Sequence, residues 1–514
     1  MLPSILTSKE PQYIRYVAHN MDELCADLGL SAVVGAMAVN HPSLKESVQK
    51  VLFELVPVSG DDILFRQQII KDALNNKELF FEIYNTLAAD FSAFKNIRQK
   101  NLPHHARHQT VTNKIHAAAE LIKMLFELAD KVRDCFERLK GNIKSEGLSH
   151  YIQSYLTFYS SGFIRNAINE SKAMSQISGK INVKISARLG YGLKGTDYII
   201  HKIDNERKLM RPLNTRDMLK VENKEIIGLD TVSSQLKAVE LKDTGLGKML
   251  NIANTVVKQT SMDIELLLQE LGFYIGCIHL YNKTSSIGLQ VCFPKFSPDN
   301  NDSLSFEDLA DISLALNHNM IPVPNTLSLD DSRLTIITGA NQGGKSTFLR
   351  SLGCAQIMAQ CGLFVSAKSF RFAIRPHVFT HFCKPEDSTM DSGKLDEELA
   401  RFENIVDRLK PGSLVLMNES FSSTDKNEGA AIAHEISGAF YDLNIKVIFV
   451  THLYEFAHSK ETEEKDDILL LRAERTPEGK RTFIIKPGLS LPTSYGMDLF
   501  QELFMNKFDA ETAV

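Results

Sequence analysis

The sequence has few cysteines and no Cys-x-x-C pair. Its 514 residues include seven cysteines, scattered at positions 25, 135, 277, 292, 354, 361 and 383. This spacing is typical of reduced thiols rather than of a disulfide framework or a cysteine-ligated metal. No apolar run approaches the roughly 20 residues of a membrane-spanning helix, and the first residues lack an apolar core behind a basic lead. These absences predict a cytoplasmic protein that does not enter a membrane.

The sequence also lacks a strong charge of either sign. Lys and Arg number 58 against 63 Asp and Glu, which gives a formal net charge of −5. A molecule with this balance has no general basic field for nucleic acid, so any such binding must come from local patches. Internal repeats, heptad arrays and low-complexity tails are absent as well. The 43% of apolar and 24% of charged residues indicate a globular protein.

A glycine-rich loop between an apolar run and a helical pattern is the strongest motif. In the segment LTIITGANQGGKSTFLR, residues 334–350, four positions have the spacing of a phosphate-binding P-loop, namely Gly339, Gly344, Lys345 and Ser346. The flanking residues predict a buried strand before the loop and a helix after it. In that context loop amides and the helix N-terminus would hold phosphate, Lys345 would reach the β- and γ-phosphates, and Ser346 would ligate Mg²⁺. An ordinary glycine-rich turn is the less favoured alternative.

Two further strand-like runs carry polar residues at their carboxyl ends. Residues 414–417 precede Asn418 and Glu419, and residues 446–450 lead to His452. Ligands of open α/β sheets collect at such ends, so Glu419 is predicted to orient or deprotonate water and His452 to contact the γ-phosphate. Asn418 stands where an aspartate usually holds Mg²⁺, and an uncharged amide would lower metal affinity or turnover. Purely structural roles for Asn418 and His452 are the alternatives.

The alternation of strands and helices from residue 334 onward predicts a mainly parallel sheet with helices on both faces. Before residue 300 the pattern is mostly helical, with apolar residues at three- and four-residue steps in 22–87, 115–139, 151–173 and 231–280. Residues 180–203 alternate instead around a glycine-containing turn, which predicts an inserted β-hairpin. Its polar positions carry the basic residues Lys180, Lys184, Arg188, Lys194 and Lys202. One face could meet a phosphate backbone, and an ordinary solvated face is an equal alternative.

These motifs resemble the MutS family, whose nucleotide domain is related to ABC ATPases. The resemblance is carried by TGANQGGKST at 338–347, LVLMNESFSST at 414–424, FVTH at 449–452 and TSYG at 493–496. Asn341 inside the loop is characteristic of MutS rather than of P-loop proteins in general. Upstream, ILFRQQII at 63–70 and NNKEL at 75–79 are similar to the start of the family's helical lever domain. The predicted hairpin stands where that family has its DNA clamp.

The resemblance implies a multidomain protein of α and α/β type. A helical core and lever would occupy residues 1–300, with the β clamp inserted at about 178–204, and a P-loop ATPase domain would occupy residues 301–514. The protein would bind ATP and Mg²⁺, hydrolyse ATP slowly because of Asn418, and dimerise through its ATPase domains. It would bind or clamp double-stranded DNA in repair or recombination.

The resemblance also assigns roles residue by residue. The nucleotide would be held by Gly339, Ala340, Asn341, Gln342, Gly343, Gly344, Lys345, Ser346 and Thr347. Mg²⁺ would be held by Ser346, Asn418 and Glu419, and the catalytic residues would be Glu419 and His452. The signature segment, in which a serine reaches the γ-phosphate of the neighbouring subunit, corresponds to residues 386–399. Aligned without a gap, the serine position holds Gly393, and Ser392 beside it is the candidate. The predicted DNA contacts are Lys180, Lys184, Arg188 and Lys194.

The sequence departs from the family pattern in further places besides Asn418. The lever-like segment begins soon after Met1, which predicts that the mismatch-reading and connector domains, and the phenylalanine wedge, are absent. A C-terminal nuclease domain is not expected either. Ile321 takes the place of the aromatic residue that stacks on adenine, so we expect looser base recognition. The alternative function is a nucleotide-gated scaffold that binds protein rather than DNA, with little or no turnover.

Overall fold

The computed structural model of the chain describes residues 2–7, 13–14, 18–57, 59–100, 110–177, 181–189, 195–205, 232–298, 302–384, 393–463, 465–476 and 480–491. At 13–14, 18–20, 181–189, 195–205 and 232–243 only the course of the backbone is described. The chain divides into two compact units. The first contains Met1–Pro3, Glu78–Ile143 and Ser149–Leu268, and the second contains Ser4–Lys77, Lys144–Leu148 and Gln269–Val514.

The elements before residue 290 are mostly helical. In chain order they are β1 (Tyr13–Ile14), α1 (Ala18–Asp27), α2 (Leu30–Ala38), α3 (Pro42–Phe53), β2 (Val56–Pro57), α4 (Gly60–Asn75), α5 (Lys77–Lys100), α6 (Val111–Leu139), α7 (Glu146–Phe158), α8 (Ser161–Ser175), β3 (Ile181–Leu189), β4 (Gly195–Asn205) and α9 (Val232–Ile287). The predicted helical patterns are therefore confirmed in type. No helix of the described residues is long and apolar enough to cross a bilayer.

Strands and helices alternate in the remainder of the chain. The elements are β5 (Lys295–Phe296), β6 (Leu304–Leu309), α10 (Ile312–His318), β7 (Asn325–Ser328), β8 (Leu334–Thr338), α11 (Lys345–Gln360), β9 (Ser369–Phe372), β10 (Val378–Phe382), α12 (Lys394–Val406), β11 (Leu414–Asn418), α13 (Lys426–Asp442), β12 (Lys446–Val450), α14 (Tyr454–Glu461), β13 (Ile468–Arg475) and β14 (Arg481–Pro487). The chain therefore has the mixed α and α/β composition that the sequence predicts.

The first unit is built on α6, whose residues at three- and four-residue spacing are buried and which packs against α8. Residues 151–173 form two helices where the periodicity predicts one. The break has a local cause, because the Ser160 side chain accepts a hydrogen bond from the Phe163 amide and caps a new helix. This cap satisfies one amide of the first turn of α8, so α8 begins as a helix separate from α7.

The predicted hairpin is confirmed in the first unit. β3 and β4 pair antiparallel, with Lys184 opposite Lys202 and Arg188 opposite Thr196. The register shifts twice along the ladder, between Lys184 and Ile185 and again between Ser186 and Arg188. Such irregularities bend a strand pair and increase its twist.

The second unit contains a six-stranded sheet in the order β10-β11-β12-β8-β13-β14. Every neighbouring pair is parallel except β13 and β14, which are antiparallel. The predicted parallel sheet is thus confirmed, with one antiparallel edge strand added. A smaller sheet, β5-β9-β6-β7, belongs to the same unit.

Helices cover both faces of the six-stranded sheet. On β11, Val415 and Met417 share an apolar cluster with α12 and α13 through Phe402 and Phe440. Leu416 lies between them in sequence and therefore points to the other face, where it meets α11. An added Cβ at Gly353 of α11 would lie 2.5 Å from Leu416 Cδ1. A glycine at this position lets the helix approach the sheet closely.

Helix α12 has an apolar face that is only partly buried. Phe402 and Ile405 are buried, but Leu399 and Val406 are 39% and 45% exposed. The neighbouring elements cover only a narrow stripe of this helix.

Two buried charged side chains hold the first described residues of the second unit. Glu270 accepts hydrogen bonds from Ser4 Oγ at 2.5 Å and from the Ile5 amide at 2.9 Å. Arg66 is fully buried, and its guanidinium donates to the carbonyl oxygens of Leu6, Leu55 and Cys361 at 2.9, 2.6 and 3.3 Å. Burial raises the pKa of Glu270 to about 7, against the hydrogen bonds from Ser4 and Ile5 and the charge of Arg66.

The raised pKa of Glu270 predicts a pH-dependent stability. A carboxyl with a higher pKa in the folded chain than in the unfolded chain binds its proton preferentially when folded, so its stabilising contribution is complete below the unfolded pKa. That contribution is lost as the pH rises to about 7, by on the order of 3 kcal/mol. Glu270→Gln, which carries no charge at any pH, is expected to gain Tm relative to the natural protein between about pH 5 and about pH 8.

Differential scanning calorimetry of the natural protein, Glu270→Gln and Glu435→Gln measures this effect. Glu435 is exposed on α13, so its variant should follow the natural protein at every pH. A Tm difference between Glu270→Gln and the natural protein that stays constant with pH would contradict the assignment.

Candidate functional site

Residues 339–344, here called the glycine loop, connect β8 to α11 in the second unit. Gly339 and Gly344 have φ of 115° and 91°, in the region that favours glycine. An added Cβ at Gly339 would lie 3.0 Å from the Ala473 amide nitrogen, and one at Gly343 would lie 2.9 Å from the Ala340 carbonyl oxygen. The loop therefore packs tightly at these glycines, just before the amides of the first turn of α11, which have no partner within the helix.

Lys345, the first residue of α11, turns its side chain back onto the glycine loop. Its Nζ donates to the carbonyl oxygens of Gly339 and Ala340 at 3.0 and 2.9 Å. The residue is 4% exposed. Burial lowers the pKa of Lys345 to about 8, and the charge of Glu419 opposes this shift. The ammonium is thus held within reach of any anion that the loop binds.

Ser346 and Asn418 bring two oxygen atoms together beside Lys345. Ser346 Oγ donates to Asn418 Oδ1 at 2.9 Å. This contact joins the first turn of α11 to the carboxyl end of β11. Hydroxyl and amide oxygens are suitable ligands for Mg²⁺, which usually takes one or two protein groups and completes its shell with substrate phosphates and water. The donor set fits a magnesium ion that arrives with a phosphate ligand.

Glu419 and His452 form an ion pair when the imidazole is protonated, with His452 Nε2 at 3.2 Å from Glu419 Oε1. The hydrogen bond from His452, aided by the charges of His452 and Lys345, lowers the pKa of Glu419 against the effect of burial. The Glu419 amide donates to the Val450 carbonyl oxygen at 2.8 Å. The carboxylate is therefore ionised at neutral pH and is tied to the strand end that leads to His452.

A cavity of about 450 Å³, here called the pocket, opens beside the glycine loop. Sequence reasoning missed Phe483 of β14, which lines the pocket, is 45% exposed and has φ of 61°. The backbone of Phe483 lies next to Gly344. Ile321 also lines the pocket and is 56% exposed. The local pattern of β14 gives no signal for Phe483, because only strand pairing brings β14 to this loop.

Most residues that the sequence assigns to a nucleotide lie together. Those that line the pocket are Asn341, Gln342, Gly343, Gly344, Lys345, Ser346, Thr347 and Glu419. Lys345 also donates to the carbonyl oxygens of Gly339 and Ala340. Asn418 accepts a hydrogen bond from Ser346, and His452 pairs with Glu419. The assigned chemical roles remain predictions.

The structure does not test the other predicted site residues. Ser392, Lys180 and Lys194 are outside the described residues. Lys184 and Arg188 lie on β3 in the first unit, where the backbone alone is described. Their predicted contacts to DNA and to a neighbouring subunit therefore remain predictions.

Two protein-family models match this chain. The model of the MutS2 N-terminal domain matches residues 58–287, and the model of MutS domain V matches residues 335–505. The chain belongs to the MutS family. The domain V match contains α11, β11, β12 and Phe483, so the pocket lies largely within this MutS segment. The N-terminal match contains the hairpin of β3 and β4.

Curated MutS relatives match over shorter spans. The DNA mismatch repair protein MutS of Leptospira interrogans is 25% identical over 339 residues, which cover 57% of this chain and 40% of that protein. Endonuclease MutS2 of Thermus thermophilus is 34% identical over 139 residues, 26% of this chain and 19% of that protein. Human MutS protein homolog 4 is 32% identical over 134 residues, which cover 26% of this chain and 14% of that protein. The chain spans 40% or less of the length of these relatives.

The lowered pKa of Lys345 predicts that anion binding weakens with rising pH. Calorimetric titration with inorganic tripolyphosphate should give a higher affinity for the natural protein than for Lys345→Met at neutral pH. Because only the protonated amine attracts the anion, the ratio of the two affinities is expected to shrink by about tenfold per pH unit above 8. Taking the ratio removes the titration of tripolyphosphate itself, and a ratio independent of pH would show that Lys345 is not the binding cation.

Proposed function

We propose that this MutS-family protein binds ATP with Mg²⁺ at the glycine loop, hydrolyses it, and binds or clamps double-stranded DNA as a dimer. The observation that carries the proposal is the meeting of three pairs of groups at one edge of the sheet. They are the glycine loop with Lys345, Ser346 with Asn418, and Glu419 with His452. A phosphate cradle, a hydroxyl for the metal and an ionised carboxylate are the parts that phosphoryl transfer to water needs.

Phosphate binding falls to the glycine loop and the start of α11. Lys345 exchanges its two carbonyl partners in the loop for phosphate oxygens. The negative phosphate then stabilises the protonated form of Lys345, which burial disfavours. The amides at the start of α11 add their partial positive charge. The exchange replaces neutral acceptors by anionic ones, which make stronger hydrogen bonds to an ammonium group.

Magnesium would be held by Ser346, Asn418 and Glu419 together with the nucleotide. When bound, it neutralises the charge that develops on the phosphates during transfer. Asn418 supplies a neutral oxygen where an aspartate would add a negative charge. We therefore propose slow turnover for this protein.

Glu419 acts on the attacking water, and His452 holds the Glu419 carboxylate. Because the pKa of Glu419 is lowered, the carboxylate is ionised at neutral pH. This suits it to orient the attacking water more than to accept its proton, since an efficient general base has a pKa near the operating pH. The bond at 3.2 Å fixes one carboxylate oxygen and leaves the other for water. His452 also contacts the γ-phosphate, so it reports the state of the nucleotide to Glu419.

The base occupies the part of the pocket lined by Phe483 and Ile321. Phe483 presents a half-exposed ring, and aromatic rings stack on nucleobases in a manner that tolerates different bases. Ile321 provides apolar contact only. This arrangement supports base binding with one aromatic partner on the β14 side.

The DNA and dimer parts of the proposal rest on family membership and on the hairpin. Relatives are named for DNA mismatch repair, and Lys184 and Lys202 are paired across β3 and β4. We propose that the basic hairpin contacts the phosphate backbone and that Ser392 reaches the nucleotide of the neighbouring subunit. We also propose that the family's helical core and clamp correspond to residues 1–300 and its ATPase domain to residues 301–514. These sequence segments cross the two compact units, since Ser4–Lys77 and Gln269–Val514 belong to one unit.

The second candidate is a nucleotide-gated scaffold that binds protein and turns over little ATP. Asn418 favours it, because an amide lowers the charge available for Mg²⁺. ATP binding without turnover and without a response to DNA would select the scaffold. Hydrolysis stimulated by duplex or branched DNA would select the DNA-coupled ATPase.

Removal of Lys345 and of the Glu419 charge should separate binding from hydrolysis. Lys345→Ala is expected to lose ATP binding, whereas Glu419→Gln keeps ATP and loses turnover by about a hundredfold or more. Binding by equilibrium dialysis and phosphate release with and without DNA measure the two effects. Glu435→Gln, on an exposed face of α13, serves as the matched control. Hydrolysis by Glu419→Gln at the natural rate would contradict the role of Glu419.

Charge reversal on the hairpin tests the DNA clamp. The variant carries glutamate at Lys180, Lys184, Arg188 and Lys194. Duplex affinity at low salt is expected to fall by about tenfold or more, with a shallower dependence on salt, because fewer counterions are released. The control reverses four exposed lysines of the second unit, Lys295, Lys410, Lys426 and Lys480. Equal DNA binding by the hairpin variant and the natural protein would rule out the clamp contact.

A further inference from the structure

Glu398 on α12 is a buried carboxylate whose partners lie in another segment. It is 2% exposed. Its Oε1 accepts a hydrogen bond from the Phe421 amide at 2.7 Å, and its Oε2 accepts one from the Ser423 hydroxyl. A buried carboxylate without such donors would be strongly unfavourable. The two bonds therefore hold α12 and residues 421–423 together.

Phe421, whose amide donates to Glu398, belongs to the turn that carries Glu419, and Ser423 follows that turn. This turn, residues 419–421, follows β11. Its Glu419 and Phe421 have φ of 55° and 63°, in the left-handed region that residues other than glycine rarely adopt. Such conformations persist only where the surroundings enforce them. Phe421 is fully buried, and an added Cβ at Gly429 of α13 would lie 2.4 Å from its carbonyl oxygen. Packing from α13 and hydrogen bonds from α12 thus enforce the turn together.

A second contact ties the same turn to β10 and to α12. His381 of β10 is fully buried, with Nδ1 at 2.7 Å from Ser420 Oγ and Nε2 at 3.1 Å from the Glu398 carbonyl oxygen. Burial lowers the pKa of His381 to about 4, so the ring is neutral. With its proton on Nε2, the ring donates to the Glu398 carbonyl. The Ser420 hydroxyl lies within hydrogen-bond distance of both Nδ1 and the His381 carbonyl oxygen, at 2.7 and 2.8 Å, and donates its one hydrogen to His381. Both the side chain and the backbone of Glu398 are therefore linked to the turn.

We propose that Glu398 is a positioning residue for Glu419, which it holds toward His452 and the attacking water through the amide of Phe421. This inference rests on the proposed hydrolysis of ATP. Without the carboxylate of Glu398, the Phe421 amide and the Ser423 hydroxyl lose their acceptor, and the turn relaxes toward negative φ. The Glu419 carboxylate then leaves its place opposite His452.

The effect falls on turnover rather than on nucleotide binding. Lys345 and the glycine loop hold the phosphates through contacts that do not include α12. Misplacement of a catalytic group by about 1 Å can cost about a hundredfold in rate. Glu398→Ala is therefore expected to lower kcat by about tenfold or more while the ATP dissociation constant changes by less than about threefold.

Matched variants separate positioning from general damage. Glu398→Gln keeps an oxygen for the Phe421 amide, so it should recover most of kcat. Ser423→Ala removes one of the two donors to Glu398 and should lower kcat less than Glu398→Ala does. If Glu398→Ala does not fold, the kcat of Ser423→Ala tests whether Glu398 positions the turn. Glu403→Ala removes an exposed carboxylate from the same helix and should behave as the natural protein.

Hydrogen exchange followed by mass spectrometry adds a measurement that needs no turnover. Peptides covering residues 419–424 should exchange faster in Glu398→Ala than in Glu403→Ala, with Glu398→Gln between them. Equal kcat and equal exchange in Glu398→Ala and Glu403→Ala overturn the inference. Parallel losses of ATP affinity and kcat also overturn it, because they indicate structural damage.

The exchange experiment also distinguishes this inference from the proposed function. If the natural protein hydrolyses no ATP under any condition, the proposed function fails. The link between Glu398 and the turn is then decided by exchange alone. Faster exchange at residues 419–424 in Glu398→Ala supports the link, and unchanged exchange overturns it.

Discussion

The in-register pairing of three parallel strands is the constraint on which the candidate site depends. In the ladders of β8, β11 and β12, Asn418 pairs with Val450 and Val450 pairs with Ile337. All three strands therefore end at one level of the sheet. The bonds from Ser346 to Asn418 and from Glu419 to Val450 exist only in this register. A shift of one residue would turn each side chain of a strand to the opposite face.

Backbone groups, rather than opposite charges, satisfy several of the buried charged side chains. Arg66 and Lys446 each donate to three carbonyl oxygens, and Glu398 accepts from the Phe421 amide. Such bonds offset the cost of burial and join segments that are distant in sequence. Lys345 differs in one respect, because its two carbonyl partners lie in a loop that borders an open pocket. Its partners are the ones that an anionic ligand can replace.

The turn at residues 419–421 connects this packing to the proposed chemistry. Its left-handed residues store strain at the point where β11 ends. Its hydrogen bonds with β10, α12 and β12, in which the Phe421 and Glu419 amides donate to Glu398 and Val450, maintain that strain. A strained turn held from several sides places a carboxylate more accurately than a free loop would. The same arrangement makes Glu419 sensitive to the position of α12.

Local sequence patterns were enough to predict the glycine loop between β8 and α11, the strand ends that carry Asn418, Glu419 and His452, and the hairpin, because each is encoded within one short segment. The place of Phe483 in the pocket depends on long-range packing, since strand order brings β14 beside a loop that precedes it by more than a hundred residues. The contact of Glu398 with Phe421 and the exposure of Leu399 likewise depend on such packing. Periodicity shows which side of an element is apolar, but packing decides which neighbour covers it.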